Sequence, residues 1–246
     1  MIAVKICGIT NDEDLRVCVE AGAHALGFVV EYPLDVPWNL SVAQAADLVK
    51  NVPADTISCM VVGGSPREIL ALARDVRPDF VQLHSDETLA ETALIARTLA
   101  REGIGVVKAL RFAPGGRLLF DVADPVRAAD LLAATEVAAL LVDSGTAERP
   151  GGSGVAVDVR AYRLVAAASR LPVVLAGGLS AENLRSVVPG DMPPHAVDVL
   201  TGVESRPGRK DADKVRAFLR AARGPFGEKT VRGIGEAARA LSSVRS

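Results

Sequence analysis

Short apolar runs alternate with longer segments of helical periodicity along almost the whole chain. Eight runs are rich in β-branched and other apolar residues, which is typical of buried strands. Each run is followed by a segment rich in Ala, Leu, Arg and Glu whose apolar positions recur at helical spacing. The pattern predicts strands at residues 4–7, 25–30, 56–62, 80–84, 106–112, 138–143, 173–176 and 197–201. It predicts helices near residues 11–22, 41–51, 66–75, 88–102, 124–134, 158–170, 181–187 and 211–222.

This alternation predicts a single (β/α)8 barrel, the TIM-barrel class of α/β fold. Strands that alternate with helices form a parallel sheet, and eight such units are the number that closes into a barrel. The length of 246 residues is also near the typical size of one barrel. The alternative is an open, doubly wound sheet, but that fold often has a glycine-rich first turn, which this sequence lacks.

Local signals mark the ends of several predicted helices. Ser41 and Ser180 are expected to be N-caps, and Gly22 and Gly103 are expected to end the helices that precede strands 2 and 5. The last predicted helix ends near residue 222. We therefore assign residues 1–223 to the catalytic barrel and residues 224–246 to a C-terminal extension that forms a short helix or is disordered.

The composition favours a small-molecule substrate. A net charge of −2 gives no general attraction to nucleic acid or to an anionic membrane, and an aromatic content of 4% offers no platform for stacking bases. Three cysteines without a C-x-x-C pair fit neither a disulfide framework nor a zinc site, so we expect a reducing, cytoplasmic environment and no metal. The sequence has no signal peptide at its start and no apolar run long enough to span a membrane.

Two titratable residues stand at the ends of predicted strands, where a barrel builds its active site. Cys7 closes strand 1, before a glycine and the start of a helix, and both a helix N-terminus and nearby cations can lower the pKa of a thiol. Asp143 closes strand 6 after five apolar residues, where a carboxylate is costly unless it is paired or functional. We therefore expect Cys7 and Asp143 to form an acid–base pair. Lys5 and Asp198 have inward parity on strands 1 and 8 and are expected to form a buried ion pair.

Glycine clusters at the same face predict a phosphate site. Barrels often bind phosphate between the loops after strands 7 and 8, where glycine lets the backbone approach an anion closely. A third cluster lies in the loop after strand 6. The predicted phosphate-binding residues are Gly177 and Gly178 after strand 7, Thr201 and Gly202 after strand 8, and Gly152, Ser153 and Gly154 after strand 6.

These segments together resemble one enzyme family. VKICGIT (4–10), EAGAHALGFVV (20–30), VQLHSDE (81–87), LVDSGTAERPGGSG (141–154), LAGGLSAENL (175–184) and VDVLTGVESRPGRKD (197–211) are similar, in order and spacing, to phosphoribosylanthranilate isomerase. The resemblance covers the chain from residue 4 to about residue 223, which is nearly its whole length.

The resemblance implies a cofactor-free Amadori rearrangement in tryptophan biosynthesis. N-(5-phosphoribosyl)anthranilate becomes 1-(2-carboxyphenylamino)-1-deoxyribulose 5-phosphate. By this similarity Asp143 is the general acid that protonates the furanose ring oxygen, and Cys7 is the general base that removes the C2′ proton. His84, Gln82 and Asp198 are expected to contact the substrate, and the glycine loops to hold its phosphate.

One segment departs from the family pattern. After strand 2 the family usually carries a basic stretch that ends in an arginine, which contacts the anthranilate carboxylate. Here Pro37, Trp38 and Asn39 stand in its place. Losing a bidentate carboxylate partner is not a neutral change. Trp38 either stacks on the aromatic substituent or anchors the loop, Asn39 could offer a neutral hydrogen bond, and Arg111 is the candidate replacement for the missing charge.

Three other functions remain open at this point. The chain could act on a different aminoribosyl phosphate, in secondary metabolism. It could be a non-catalytic barrel that serves as a binding partner, although such a protein would hardly keep both Cys7 and Asp143. It could also be the dual-substrate isomerase of histidine and tryptophan synthesis, but that enzyme relies on two aspartates. A monomer and a homodimer are both compatible with the sequence.

Overall fold

A computed structural model describes residues 2–144 and 159–223 of the chain. Within these residues eight parallel strands form a closed barrel, so the predicted fold is confirmed. The barrel strands are β1 (Ala3–Ile6), β2 (Ala25–Val30), β3 (Ile57–Val62), β4 (Phe80–Leu83), β5 (Gly105–Phe112), β6 (Ala139–Ser144), β7 (Val173–Leu175) and β8 (Ala196–Val199). Each strand pairs with its neighbours in chain order, and β1 closes the barrel by pairing with both β2 and β8.

Helices connect the strands and cover the outside of the barrel. They are α1 (Asp12–Ala21), α2 (Val42–Lys50), α3 (Pro66–Val76), α4 (Leu89–Ala100), α5 (Pro125–Ala133), α6 (Val159–Ala168), α7 (Leu184–Val187) and α8 (Ala212–Ala222). The side chains of Ser41, Ser65 and Thr88 each accept a hydrogen bond in a capping box, which fixes the starts of α2, α3 and α4. Each described helix turns an apolar face towards the strands. Among the described residues, no helix combines the length and apolarity that crossing a membrane requires.

The sequence placed the start of one helix wrongly. Ser180 was expected to cap a helix at residues 181–187, but α7 begins only at Leu184 and its N-cap is Asn183. Ser180 instead stabilises the preceding turn, because its backbone N–H donates to Asn183 Oδ1 over 2.8 Å. Two other caps are as expected: Ser41 is the N-cap of α2, and Gly22 ends α1 in a left-handed conformation. Gly103, which was expected to end α4, lies two residues beyond its C-cap Arg101, in a turn with a φ of 73°.

Three short elements at the catalytic face were not predicted. The strand Asn39–Leu40 adds to the edge of β2, so the loop after β2 returns alongside its own strand. After β8 the chain forms a 3-10 turn (Thr201–Val203) and then a small antiparallel hairpin of Glu204–Arg206 with Arg209–Lys210. Residues 145–158, which include the predicted Gly152, Ser153 and Gly154, and the extension 224–246 lie outside the described residues.

The barrel interior is apolar at its base and polar towards the catalytic face. Small and medium residues fill the base, among them Ala3, Ala139, Val174 and Ala196. Two residues further along these strands, Lys5 on β1 is paired in register with Asp198 on β8. The functional side chains at the carboxyl ends of the strands therefore stand above a packed floor, as in other barrels of this class.

Candidate active site

An open pocket of about 680 Å³ lies at the carboxyl ends of the barrel strands. Most of the residues predicted for the site line this single pocket, although they come from six different strands or the loops that follow them. The predicted residues in its wall are Cys7, Trp38, Gln82, His84, Asp143, Gly177, Gly178, Asp198 and Thr201.

Cys7 is held at the top of β1 by the neighbouring strands. Its backbone N–H donates to the carbonyl of Val199 over 2.8 Å, and its side chain is 4% exposed. Burial raises the pKa of the thiol, and the Lys5 ammonium is the main group that opposes this effect. The sequence had predicted a thiol pKa lowered by a helix N-terminus and nearby cations. In the structure the pKa is raised instead, because the desolvation of the thiolate is the largest effect.

Asp143 lies at the end of a chain of polar side chains. His84 Nε2 is 3.3 Å from Asp143 Oδ2, and both side chains are buried. On the other side of the ring, Gln82 Nε2 lies 2.9 Å from His84 Nδ1. Since the amide N–H of Gln82 donates to Nδ1, the proton of a neutral imidazole resides on Nε2 and points towards the carboxylate. This arrangement fixes the orientation of Asp143 in the pocket wall.

Lys5 and Asp198 form the buried ion pair that their parity predicts. Lys5 Nζ donates to Asp198 Oδ2 over 2.8 Å, and both side chains are more than nine-tenths buried. Asp198 Oδ1 has no hydrogen-bond partner among the described residues. A buried carboxylate oxygen that lines a pocket without a partner can accept a hydrogen bond from a ligand hydroxyl.

The glycine turns after β7 and β8 form one side of the pocket. Gly177 and Gly178 both have positive φ, 96° and 58°, which a side chain would disfavour. Among the described residues, neither backbone N–H donates to another backbone group. Gly202 packs so closely on the first turn that an added Cβ would overlap the carbonyl oxygen of Leu179. The two turns are thus fixed against each other.

Trp38 both anchors its loop and forms a wall of the pocket. Its indole Nε1 donates to Glu204 Oε1 over 2.8 Å, and the same oxygen accepts from Lys210 Nζ over 2.9 Å. The ring covers Gly8, where an added Cβ would lie 2.9 Å from Trp38 Cδ1. These contacts fasten the loop after β2 to the hairpin after β8. The indole therefore presents a fixed aromatic surface beside Cys7.

Arg111 is not in the wall of this pocket. Its side chain is 3% exposed and forms an ion pair with the exposed carboxylate of Asp86. Its Nε has no partner among the described residues. Asn39 does not face the pocket either, because its amide donates to and accepts from the backbone of Tyr32. Tyr32 connects Arg111 to the pocket, since Tyr32 lines the pocket wall. Burial raises the pKa of its hydroxyl, and the positive charge of Arg111 opposes that rise.

Several residues of the site were not found from the sequence. Tyr32 was missed because the loop after β2 has no motif that singles it out, although its place after a barrel strand puts it at the catalytic face. Glu204 and Lys210 were missed because they act through Trp38, which is far away in the chain. Gly27 lies on β2 beside Cys7, where an added Cβ would stand 2.6 Å from Cys7 Sγ. It was missed because an inward-facing glycine inside a strand resembles any small core residue.

Comparison with known proteins identifies one family. The family model described as N-(5'phosphoribosyl)anthranilate (PRA) isomerase matches residues 4–221. The chain is 39% identical over 227 residues to the N-(5'-phosphoribosyl)anthranilate isomerase of Geobacter sulfurreducens, covering 91% of this chain and 100% of that protein. It is 36% identical over 226 residues to N-(5'-phosphoribosyl)anthranilate isomerase 1 of Methanosarcina mazei, covering 89% of this chain and 94% of that protein.

A solved structure supports the same relationship. The chain matches a phosphoribosyl anthranilate isomerase that was crystallised in complex with reduced 1-(o-carboxyphenylamino)-1-deoxyribulose 5-phosphate. The TM-score is 0.69 and the sequence identity 32%, over 91% of this chain and 100% of that one.

Proposed function

This chain belongs to the N-(5'-phosphoribosyl)anthranilate isomerase family, and on that premise we propose that Cys7 and Asp143 are its catalytic base and acid. The enzyme isomerises N-(5-phosphoribosyl)anthranilate in tryptophan biosynthesis. The observation that best supports the two roles is their shared pocket: Cys7, directly after β1, and Asp143, on β6, both line its wall and are each more than nine-tenths buried. The other functions that the sequence left open have no comparable support.

The proposed reaction needs two proton transfers and no cofactor. Asp143 gives its proton to the furanose ring oxygen as the C1′–O bond breaks, which leaves a Schiff base at C1′. Cys7, as the thiolate, then takes the proton from C2′, and the electron pair of that C–H bond forms an enolamine. The enolamine tautomerises to the 1-amino-1-deoxyketose. One such transfer by a positioned side chain typically contributes about 10² to 10⁴ in rate.

The polar neighbours of these two residues suit the ribose. Asp198 Oδ1 is the partnerless acceptor in the wall, and we assign it to a sugar hydroxyl. His84 and Gln82 orient Asp143, and His84 is also close enough to the open space to contact the substrate.

We assign the phosphate to the two glycine turns. Gly177, Gly178 and Thr201 line the pocket, and Gly202 lies next to Thr201 in the turn after β8, so the backbone N–H groups of both turns are candidate donors. Backbone donors of this kind bind phosphate without a charged side chain. Gly152, Ser153 and Gly154 complete the predicted grip from the loop after β6.

The anthranilate ring is assigned to the surface of Trp38. The indole is fixed by Glu204 and stands in the wall on the same side as Cys7. Stacked aromatic rings gain about 0.5–1.5 kcal/mol beyond the burial of their area. We assign its carboxylate to Arg111, whose guanidinium must turn from Asp86 towards Tyr32 and the pocket when the substrate binds; among the described residues Arg111 Nε has no partner. Desolvating a carboxylate without such a partner would be costly.

A turnover assay tests this arrangement. We expect the protein to convert N-(5-phosphoribosyl)anthranilate and to convert the analogue without the carboxylate more weakly. The variant Arg111→Met should raise KM about tenfold for the natural substrate and leave KM for the analogue unchanged, because only the first has the group that the arginine binds. Arg163→Met, which removes an exposed arginine paired with Asp191, is the matched control. Equal losses for both substrates would contradict the role of Arg111.

The setting of the enzyme follows from the same features. We propose that it works in the cytoplasm on a small phosphorylated sugar derivative, without nucleic acid or a membrane as a partner. The free state of all three thiols and the weak net charge support this setting. It works either as a monomer or as a homodimer.

A further inference from the structure

Lys5 is the buried group nearest to Cys7 whose role the reaction does not yet use. It lies two residues before Cys7 on β1, and its inward side chain reaches the same level of the barrel. Its ammonium donates to Asp198 Oδ2 over 2.8 Å. Both groups are buried, so solvent screens their charges little.

The charge of Lys5 is secured by this pair. Although burial alone would lower the pKa of the ammonium, the neighbouring Asp198 carboxylate raises it well above its ordinary value. Lys5 therefore stays protonated at any pH at which the enzyme works. A permanent positive charge is thus fixed inside the barrel, directly below the proposed base.

Gly27 lets this charge approach the thiol. The glycine lies on β2, next to β1, and an added Cβ would stand 2.6 Å from Cys7 Sγ and 3.0 Å from Lys5 Nζ. The thiol and the ammonium therefore share the space that the missing side chain leaves open. No other residue type at position 27 would allow this arrangement without displacing one of the two groups.

The other groups around Cys7 do not replace Lys5. Asp198 on β8 disfavours a thiolate, and Lys210 on the hairpin favours it more weakly than Lys5 does. Cys59 on β3 is a neutral neighbour, since burial raises its pKa to about 12. His84 and Asp143 line the opposite wall of the pocket.

We propose that Lys5 is a positioning residue for catalysis: its ammonium stabilises the thiolate of Cys7, and Gly27 keeps open the space in which the two groups meet. The inference rests on the proposed role of Cys7 as the base. When the thiolate takes the C2′ proton it becomes a neutral thiol, and its electron pair forms the new S–H bond. Lys5 keeps its own protons throughout and remains paired with Asp198.

Lys108 offers a matched control for the cost of losing a buried lysine. Its Nζ donates to Glu87 Oε2 over 2.6 Å, and the side chains of both residues are 1% exposed. This pair lies between β5 and the helix layer, where Lys108 also packs over the ring of Phe120. Breaking either pair leaves a buried carboxylate unpaired, so both changes should destabilise the fold. Only the change at Lys5 should affect Cys7.

The test titrates the Cys7 thiol in the unliganded protein. Replacing Cys18 and Cys59 by alanine leaves Cys7 as the single thiol of the chain. The ultraviolet absorbance of the thiolate and the rate of alkylation by iodoacetamide are then followed against pH. We expect Lys5→Met to raise the pKa of Cys7 by about one pH unit or more, because an opposite charge at this range typically shifts a pKa by about one to three units. Lys5→Arg should restore most of the shift, and Lys108→Met should cause none.

Two further measurements keep the test decisive. If Lys5→Met does not fold, the double variant Lys5→Met, Asp198→Asn removes both charges and is compared with Asp198→Asn alone: the pKa of Cys7 should be higher in the double variant, because the two proteins differ only at Lys5. In the full enzyme, the acid limb of kcat/KM for Lys5→Met should move to higher pH. An unchanged thiol titration in the variants without Lys5 would overturn the proposal. If the thiol titration shifts as expected but the Cys7→Ser variant remains active, the role of Cys7 as the base is overturned. The interaction between Lys5 and Cys7 would then still stand.

Discussion

At the scale of single residues, the site pairs a thiol and a carboxylate that have different surroundings. Cys7 lies beside a fixed ammonium, whereas Asp143 faces the Nε2 of the His84 ring. Two titratable groups whose environments differ in this way suit one acid and one base. Two other residues help to set these environments. Lys5 lies two residues before Cys7, on β1, and Gln82 lies two residues before His84, on β4.

Replacing either of the two proposed catalytic residues should remove most of the activity. We expect Cys7→Ser and Asp143→Asn each to lower kcat/KM by about 10² or more, because each change removes one proton transfer. Both substitutions are close to isosteric, so far-UV circular dichroism and the thermal midpoint should stay near those of the unmodified protein.

Cys18→Ser is the matched control for the thiol. Cys18 is also buried, but it lies on α1, and the pocket wall does not include it among the described residues. Its substitution should leave kcat/KM within about twofold, since it touches no reacting group. Activity of Cys7→Ser or Asp143→Asn within about tenfold of the unmodified enzyme would contradict the assignment.

At the scale of elements, loops from opposite parts of the chain are locked in pairs. The loop after β2 is tied to the hairpin after β8 through Trp38, Glu204 and Lys210. The turn after β7 is packed against the turn after β8 through Leu179 and Gly202. Since a rigid site loses less entropy when it binds its ligand, both locks favour a preorganised pocket.

The close contact between the turns after β7 and β8 allows a test of the proposed phosphate site. Gly202→Ala should weaken the binding of inorganic phosphate at least about tenfold, because the new methyl group must push the two turns apart. Isothermal titration calorimetry measures the affinity directly. Gly190→Ala is the control: an added Cβ there meets no atom of the described residues within 4 Å. Phosphate affinity that is unchanged in Gly202→Ala would place the anion elsewhere.

At the scale of the whole molecule, two histidines close the base of the barrel in the same way. His24 immediately precedes β2, and its Nδ1 accepts from the backbone N–H of Val4 over 3.1 Å. His195 immediately precedes β8, and its Nδ1 accepts from the N–H of Val173 over 3.1 Å. In both cases the backbone N–H of the histidine donates to the carbonyl of the same strand residue. Each ring therefore has to keep Nδ1 unprotonated in the folded state.

This arrangement predicts how stability depends on pH. Burial lowers the pKa of both histidines below the ordinary value of 6.5, so the unfolded chain binds more protons than the folded one below that pH. Their contribution to stability should be complete above pH 6.5 and should be lost as the pH falls through the folded-state pKa values.

Urea unfolding at several values between about pH 7.5 and pH 5.5 measures this effect. The double variant His24→Gln, His195→Gln keeps a side-chain acceptor at each position but cannot titrate. Its free energy of unfolding should vary less over this range than that of the unmodified protein. His84 and the carboxylates are present in both proteins, so their contributions cancel in the comparison. Parallel curves for the two proteins would show that the histidines do not carry the dependence.

The sequence by itself determined the fold and the position of most functional residues along it. Hydrophobic periodicity is a local property, and it sets which residues of a strand or helix face the core. All eight strands were therefore found within about two residues of their observed ends. Because a barrel brings the carboxyl ends of its strands together, Cys7, His84, Asp143 and Asp198 could be assigned to one site before any contact was known.

The tertiary structure decided which of these residues touch. Gly27, Cys7 and Lys5 meet because β1 and β2 pair in one register, and no local pattern encodes that meeting. The side chains of Trp38 and Glu204, which are 166 positions apart, meet only because the barrel closes. Arg111 has the right position along β5 to reach the site, yet Asp86 draws its guanidinium away from the pocket wall. Contacts between distant segments depend on closure and on competing partners, whereas the sequence pattern specifies only faces and ends.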